Sequence, residues 1–238
     1  MSFAMEYRHP LTAAEAPADV RAAFIRRTYV HLAGAILAFA GIEAVLLNLP
    51  GIENTVFGLM RASRYSWLVV LGGFMLVSWL ADRWARSETS PGMQYAGLAL
   101  YVLAEAVIFL PLLLIADRFF AGEHLIAKAA ILTLATFAGL TLGVLVTGKD
   151  FSFLRTALTV GGVVAFGLIL AGVLFGFTLG LWFTLGMIAF ACAAILYYTS
   201  QVLHHYRPEQ HVAAALTLFA AVALLFWYVL QLLMRSRN

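Results

Sequence analysis

Two long runs, Leu181–Leu203 and Val212–Met234, contain no Asp, Glu, Lys or Arg, and one short loop, HHYRPEQH (His204–His211), joins them. As a helix each would be about 34 Å long at ~1.5 Å per residue, enough to cross a hydrocarbon core of roughly 30 Å. The pair reads as a membrane hairpin. Five further apolar segments precede it: Thr28–Leu49, Tyr65–Ala81, Met93–Ala116, Leu125–Val146 and Ala157–Phe175. The stretch from Leu154 to Leu203 is almost continuously apolar, about twice what one span needs. Gly176–Gly180 is its one plausible break, which gives seven spans. In hydrocarbon every backbone amide must be satisfied internally, and runs this long and non-alternating exclude a barrel. The expected fold is an all-α membrane protein, a seven-transmembrane-helix bundle over 28–234, with an N-terminal segment 1–27 and a short tail 235–238.

Composition closes the soluble alternative. Of 238 residues 63% are hydrophobic and 11% charged, too few polar groups to cover a globule of this size. The net charge of +3 comes from 15 Lys and Arg scattered among loops. No basic stripe interleaved with aromatics marks a nucleic-acid partner. The single cysteine, Cys192, lies inside an apolar run, so no intrachain disulfide or thiolate metal site is expected. The segment Met1–Arg27 lacks the apolar core of a signal peptide, and Ala13–Ala23 is expected as a short helix on the membrane surface. Ser87–Gly92 is the expected turn between the second and third spans. The side of the N-terminus carries nine basic residues, Arg8, Arg21, Arg26, Arg27, Arg83, Arg86, Lys149, Arg155 and Arg207. The other side carries six, Arg61, Arg64, Arg118, Lys128, Arg235 and Arg237. That bias places the N-terminus in the cytoplasm and the C-terminus outside.

A charge near the bilayer centre costs roughly 2.5–3.5 kcal/mol even on lenient insertion scales, so embedded acids are the functional candidates. Glu105 is near the middle of the third span and Glu43 is in the outer third of the first. Both are candidates for an ion or proton path. Pro111, six residues after Glu105, would free the carbonyl of Val107 and bend its helix. Gly139-xxx-Gly143 and Gly172-xxx-Gly176 are expected points of close helix approach. Tyr197 and Tyr198 are spaced to share a face with Gln201. His204, His205, Glu209 and His211 crowd one loop, but their spacing fits no known ligand pattern. No hydrolase, phosphate-loop or dinucleotide fingerprint occurs. With two lysines, Lys128 and Lys149, none lies in the seventh span to carry a retinal Schiff base. No enzyme activity and no cofactor are expected.

Three segments carry a resemblance: FIRRTYVHLAGAILAFAG (Phe24–Gly41), TGKDFSFLRTAL (Thr147–Leu158) and AAILYYTSQVLHHY (Ala193–Tyr206). They resemble the Bax inhibitor-1 family, particularly its bacterial YccA-like branch. The resemblance implies a seven-helix bundle whose last helix runs through the middle. It also implies calcium or proton leak, protection from stress and death signals, and modulation of a membrane-bound ATP-dependent protease. The family's leak is attributed to two aspartates on the last two helices. Here the first position falls on Tyr198 and the second on Ala221, so the acid pair is absent. A gating arginine of some relatives would fall near Arg83 or Arg86. The expectation is a regulatory or interaction protein of the bacterial inner membrane, acting in membrane stress or membrane-protein quality control. Its partners would be the bilayer, a membrane-bound protease or other membrane proteins. The alternative is a calcium or proton leak channel built on Glu105 and Glu43.

Overall fold

A computed structural model describes residues 12–63, 65–87 and 90–237. The helices are α1 (Ala18–Leu47), α2 (Ile52–Ala62), α3 (Ser66–Ala85), α4 (Pro91–Phe119), α5 (Leu125–Thr147), α6 (Leu154–Phe175), α7 (Leu181–His204) and α8 (His211–Arg235). A 3-10 turn, Pro208–Gln210, precedes α8. No strand occurs among the described residues. All but α2 are long and apolar enough to cross a membrane, seven in total. They alternate in direction, so the loops gather at two ends. One end holds residues 12–17, 86–87 and 90, 148–153 and 205–210. The other holds residues 48–63 and 65, 120–124, 176–180 and 236–237.

Several boundaries follow from local chemistry. Ser90 caps α4 by accepting from the Met93 N–H at 3.3 Å, with Pro91 in the first turn where no donor is missed. The break expected at Gly176–Gly180 is present. Gly176 has φ +78°, and its N–H closes onto Gly172 O at 2.9 Å, ending α6. Pro111 lies inside α4, which continues through it to Phe119.

Two expectations are corrected. Ala13–Ala23 is not a separate surface helix. Residues 13–15 form a turn, and α1 starts at Ala18 and runs unbroken to Leu47. Ala and Arg are good helix formers, and nothing between Ala18 and Thr28 stops the helix, so it crosses the 27/28 boundary. The short helix α2 is an addition to the expected elements. Gly51, at φ +80°, ends the turn after α1, and α2 then docks on α4 through Phe57 against Phe119 (ring centroids 6.2 Å) and Glu53 with Arg118 (3.5 Å). Met1–Leu11, Arg64 and the Glu88-Thr89 part of the predicted turn lie outside the described residues.

α8 is the most buried helix. Fifteen of its 25 residues are buried, and it packs against α1, α3, α4, α5 and α7. Its small side chains, Ala213, Ala214, Ala215, Ala221 and Ala223, let neighbours approach, and Ala191 and Ala194 do the same on α7. The closest glycine approach is at Gly97 of α4. A Cβ there would lie 2.5 Å from Ala81 O and 2.6 Å from Ala85 N, so α3 and α4 touch backbone to backbone. The predicted Gly139 and Gly143 have open space where a Cβ would go, and Gly172 meets only its own following loop, at Phe177 O and Leu179. Those pairs are turn or outward-facing glycines, not crossing points. Outward faces stay apolar, as at Trp182 (85% exposed) and Val146 (83%). Such a surface suits lipid and would be untenable in water.

Candidate functional site

The three segments singled out in the sequence meet at the end of the molecule that holds Thr12. Tyr29 of α1 lies beside Thr199 of α7 and Thr141 of α5. The hydroxyls of all three are buried. The next residue, Ser200, turns to the α5–α6 loop. Its Oγ accepts the Phe151 N–H at 2.8 Å and donates to Asp150 Oδ1 at 3.1 Å. Asp150 also accepts the Ser152 hydroxyl and, at 2.8 Å, the Ser152 N–H, and those bonds to its charged form hold its carboxyl below the usual carboxylate range. Gln201 Nε2 donates to Ser152 Oγ at 3.3 Å. His204 Nε2 lies 3.1 Å from Gly148 O, and His205 Nε2 lies 3.9 Å from Asp150 Oδ2. The loop is thereby latched to the end of α7.

This network reassigns several candidates. Gln201, expected to share a face with the tyrosines, instead holds Ser152, while Tyr197 and Tyr198 contact each other edge to face at 5.2 Å. The histidines disperse: His204 and His205 go to the latch, and His211 packs on His31 at 5.0 Å. No group of three potential metal ligands forms among the described residues.

Behind the latch lies a cavity of about 920 Å³ bounded by α3, α4, α6, α7 and α8. Its walls are mostly apolar and aromatic. Glu105 and both positions assigned to the family's acid pair, Tyr198 and Ala221, line it. Glu105 is buried, and the Tyr101 hydroxyl, one turn back on α4, is its polar neighbour. Arg155 lines the latch end of the cavity, and Arg235 the opposite end, where its Nη2 donates to Leu179 O at 2.7 Å. Glu43 is elsewhere. It is buried, both carboxyl oxygens lack a hydrogen-bond partner among the described residues, and it does not line this cavity. The two acids therefore do not share one chamber, contrary to the simplest sequence-based picture.

The arginines also separate. Arg83 extends over the Trp79 ring, 5.6 Å from its centroid. Arg86 is held by both oxygens of Asp82, each 2.9 Å from Nε, which keeps the guanidinium charged and raises its pKa. Its field reaches Tyr206 and Tyr198. Arg86, not Arg83, is on the side of the cavity position at 198. Tyr206 joins this corner to α8 by its hydroxyl, 3.1 Å from Thr217 Oγ1, and to the N-terminal segment by its carbonyl, which accepts from Ala13 N–H at 2.8 Å.

The family model for the inhibitor of apoptosis-promoting Bax1 matches residues 21–238. The chain belongs to the Bax inhibitor-1 family. Curated relatives of this family include an uncharacterized protein of Pseudomonas aeruginosa, 29% identical over 208 residues that make up 85% of this chain and 89% of the relative. A Golgi anti-apoptotic protein of Vaccinia virus is 27% identical over 96% of this chain and 92% of its own. Protein lifeguard 4 of Mus musculus is 28% identical over 96% and 91%. No solved structure matches this Bax inhibitor-1 family member significantly.

Proposed function

We propose that this protein is a regulatory, non-enzymatic member of the Bax inhibitor-1 family. It acts in the bacterial inner membrane, in membrane stress or membrane-protein quality control, by binding other membrane proteins such as a membrane-bound ATP-dependent protease. The N-terminus faces the cytoplasm. The observation that carries this reading is the charge inventory of the cavity. Its ends hold Arg155 and Arg235, its middle holds one carboxyl, and residues 198 and 221 are a tyrosine and an alanine. Arginines at both ends oppose entry of a cation, and no carboxylate pair is present to coordinate calcium. Relatives named as anti-apoptotic agree with a regulatory role.

One observation favours a second reading. Glu105 lines the cavity and has the Tyr101 hydroxyl as a neighbour, which supports a proton relay. Purified protein in liposomes separates the two. The regulatory reading expects no calcium or proton flux above empty liposomes at any pH from 5 to 8. Proton flux abolished by Glu105→Gln would replace it with the relay. Co-purification of a membrane protease from native membranes after cross-linking is the positive outcome for the first reading.

A further inference from the structure

The cavity has an opening that the proposed role does not use, and of the two arginines at its ends Arg155 has no ion-pair partner among the described residues. α3 packs on α2, α4 and α8, while α6 packs on α7 alone among the helix pairs with substantial contact. Between α3 and α6 the wall is therefore not closed by helix packing. α8 supplies the floor there through Ala220, Ala221, Leu224 and Trp227. The volume of about 920 Å³ falls within the ~300–1,000 Å³ usual for ligand sites. On α6 the lining residues fall in two groups, Arg155 to Thr159 near the latch and Ile169 to Val173 near the far end, whose extremes are roughly 27 Å apart at ~1.5 Å per residue, almost the whole hydrocarbon thickness. The tail of a lipid in one leaflet needs about half of that depth.

The geometry points to this cavity as a specific site for one anionic phospholipid of the leaflet on the latch side, its acyl chain in the slot and its phosphate on Arg155. Charge complementarity selects the occupant and its orientation. Arg155 is in the first turn of α6, exposed, and has no ion-pair partner among the described residues. Arg235, at the far end, already donates to Leu179 O. Tyr197 lines the same end as Arg155 and offers its hydroxyl for the headgroup, while the Thr159 hydroxyl there donates to Arg155 O at 2.9 Å, and a chain lying deeper meets Ala194, Phe190 and Leu224. Basic pockets between membrane helices hold anionic headgroups in this way. The latch positions the arginine, because the loop it ties down, Gly148–Phe153, leads directly into α6.

The test is native mass spectrometry of the full chain released from nanodiscs of equal phosphatidylglycerol and phosphatidylcholine. Wild type is expected to retain one phosphatidylglycerol and little phosphatidylcholine. Arg155→Gln should weaken retention about tenfold, equivalent to ~1.4 kcal/mol, with Arg155→Lys recovering part of it. Leu224→Trp, which fills the slot without touching a charge, should also displace the lipid. Circular dichroism and thermal midpoint establish that each variant is folded. Soluble glycerol phosphate at millimolar concentration should not compete. Equal retention of the two lipids, wild-type retention by folded Arg155→Gln, loss on Arg235→Gln instead, or displacement by glycerol phosphate would each overturn the assignment. The site shares Arg155 with the charge inventory behind the proposed role, but lipid retention is read without flux or protease binding, so failure of one is distinguishable from failure of the other.

Discussion

Gly97 and Asp150 are the two residues whose chemistry is most sharply constrained. At Gly97 any side chain must push the α3 backbone away, because Ala81 O and Ala85 N occupy the space. Gly97→Val should therefore destabilise the bundle by roughly 1–3 kcal/mol, as overpacking does. A lower unfolding midpoint in detergent, read by labelling of Cys192, checks it. Gly139→Val, with open space around it, is the control and should leave the midpoint unchanged. At Asp150 the folded carboxyl has a pKa below that of the unfolded chain. Its contribution is then present above the ordinary aspartate value of about 3.9 and lost as pH falls through the lower folded value. Protection of the Phe151 and Ser152 amides relative to their intrinsic exchange rates should fall over that acid range, and Asp150→Ala should show the same loss of protection at neutral pH. The converse test concerns missing acids. Tyr198→Asp with Ala221→Asp places two carboxyls on the cavity wall, and the pair should bind calcium in a titration where wild type does not.

Elements differ widely in how firmly they are held. α6 buries only Ala165 and Gly172, and it meets α7 where Ala165 packs with Met187 and where Phe190 lies against Gly161, at which a Cβ would meet the ring at 3.1 Å. Phe190→Ala should loosen α6 selectively. In detergent, its amides should exchange faster while those of α8 stay protected. The seven long helices are legible in the sequence because hydrocarbon demands length and apolarity, and both can be counted along a chain. The short helix α2 is not, since a segment so brief and so moderately polar looks like any loop. The start of α1 is ambiguous for a related reason. An Ala- and Arg-rich segment is compatible with a surface helix or with the continuation of a span, and only packing of Phe24 and Ala13 into the core decides. The site is half legible. Glu105 stands out because a carboxyl amid apolar residues is costly, and the Asp150 and Ser200 segments stand out as motifs. Their bonding to each other does not, because they lie far apart along the chain and no spacing rule links a loop to the end of a distant helix.

On the scale of the whole molecule, an odd number of spans puts the termini on opposite sides. A reporter that is active only outside the cytoplasm should work when fused after Asn238 and fail when fused at the N-terminus. The burial of α8 has a further consequence for biosynthesis. The helix that α1, α3, α4, α5 and α7 all pack against is made after the five of them, so they must wait in the membrane without it. At roughly 5–20 residues per second that vigil lasts on the order of seconds, with polar hydroxyls and the Glu105 carboxyl uncovered. A stop codon just ahead of α8 would leave those five helices without their shared core rather than a slightly shortened protein, and proteolysis rather than partial activity is the expected fate.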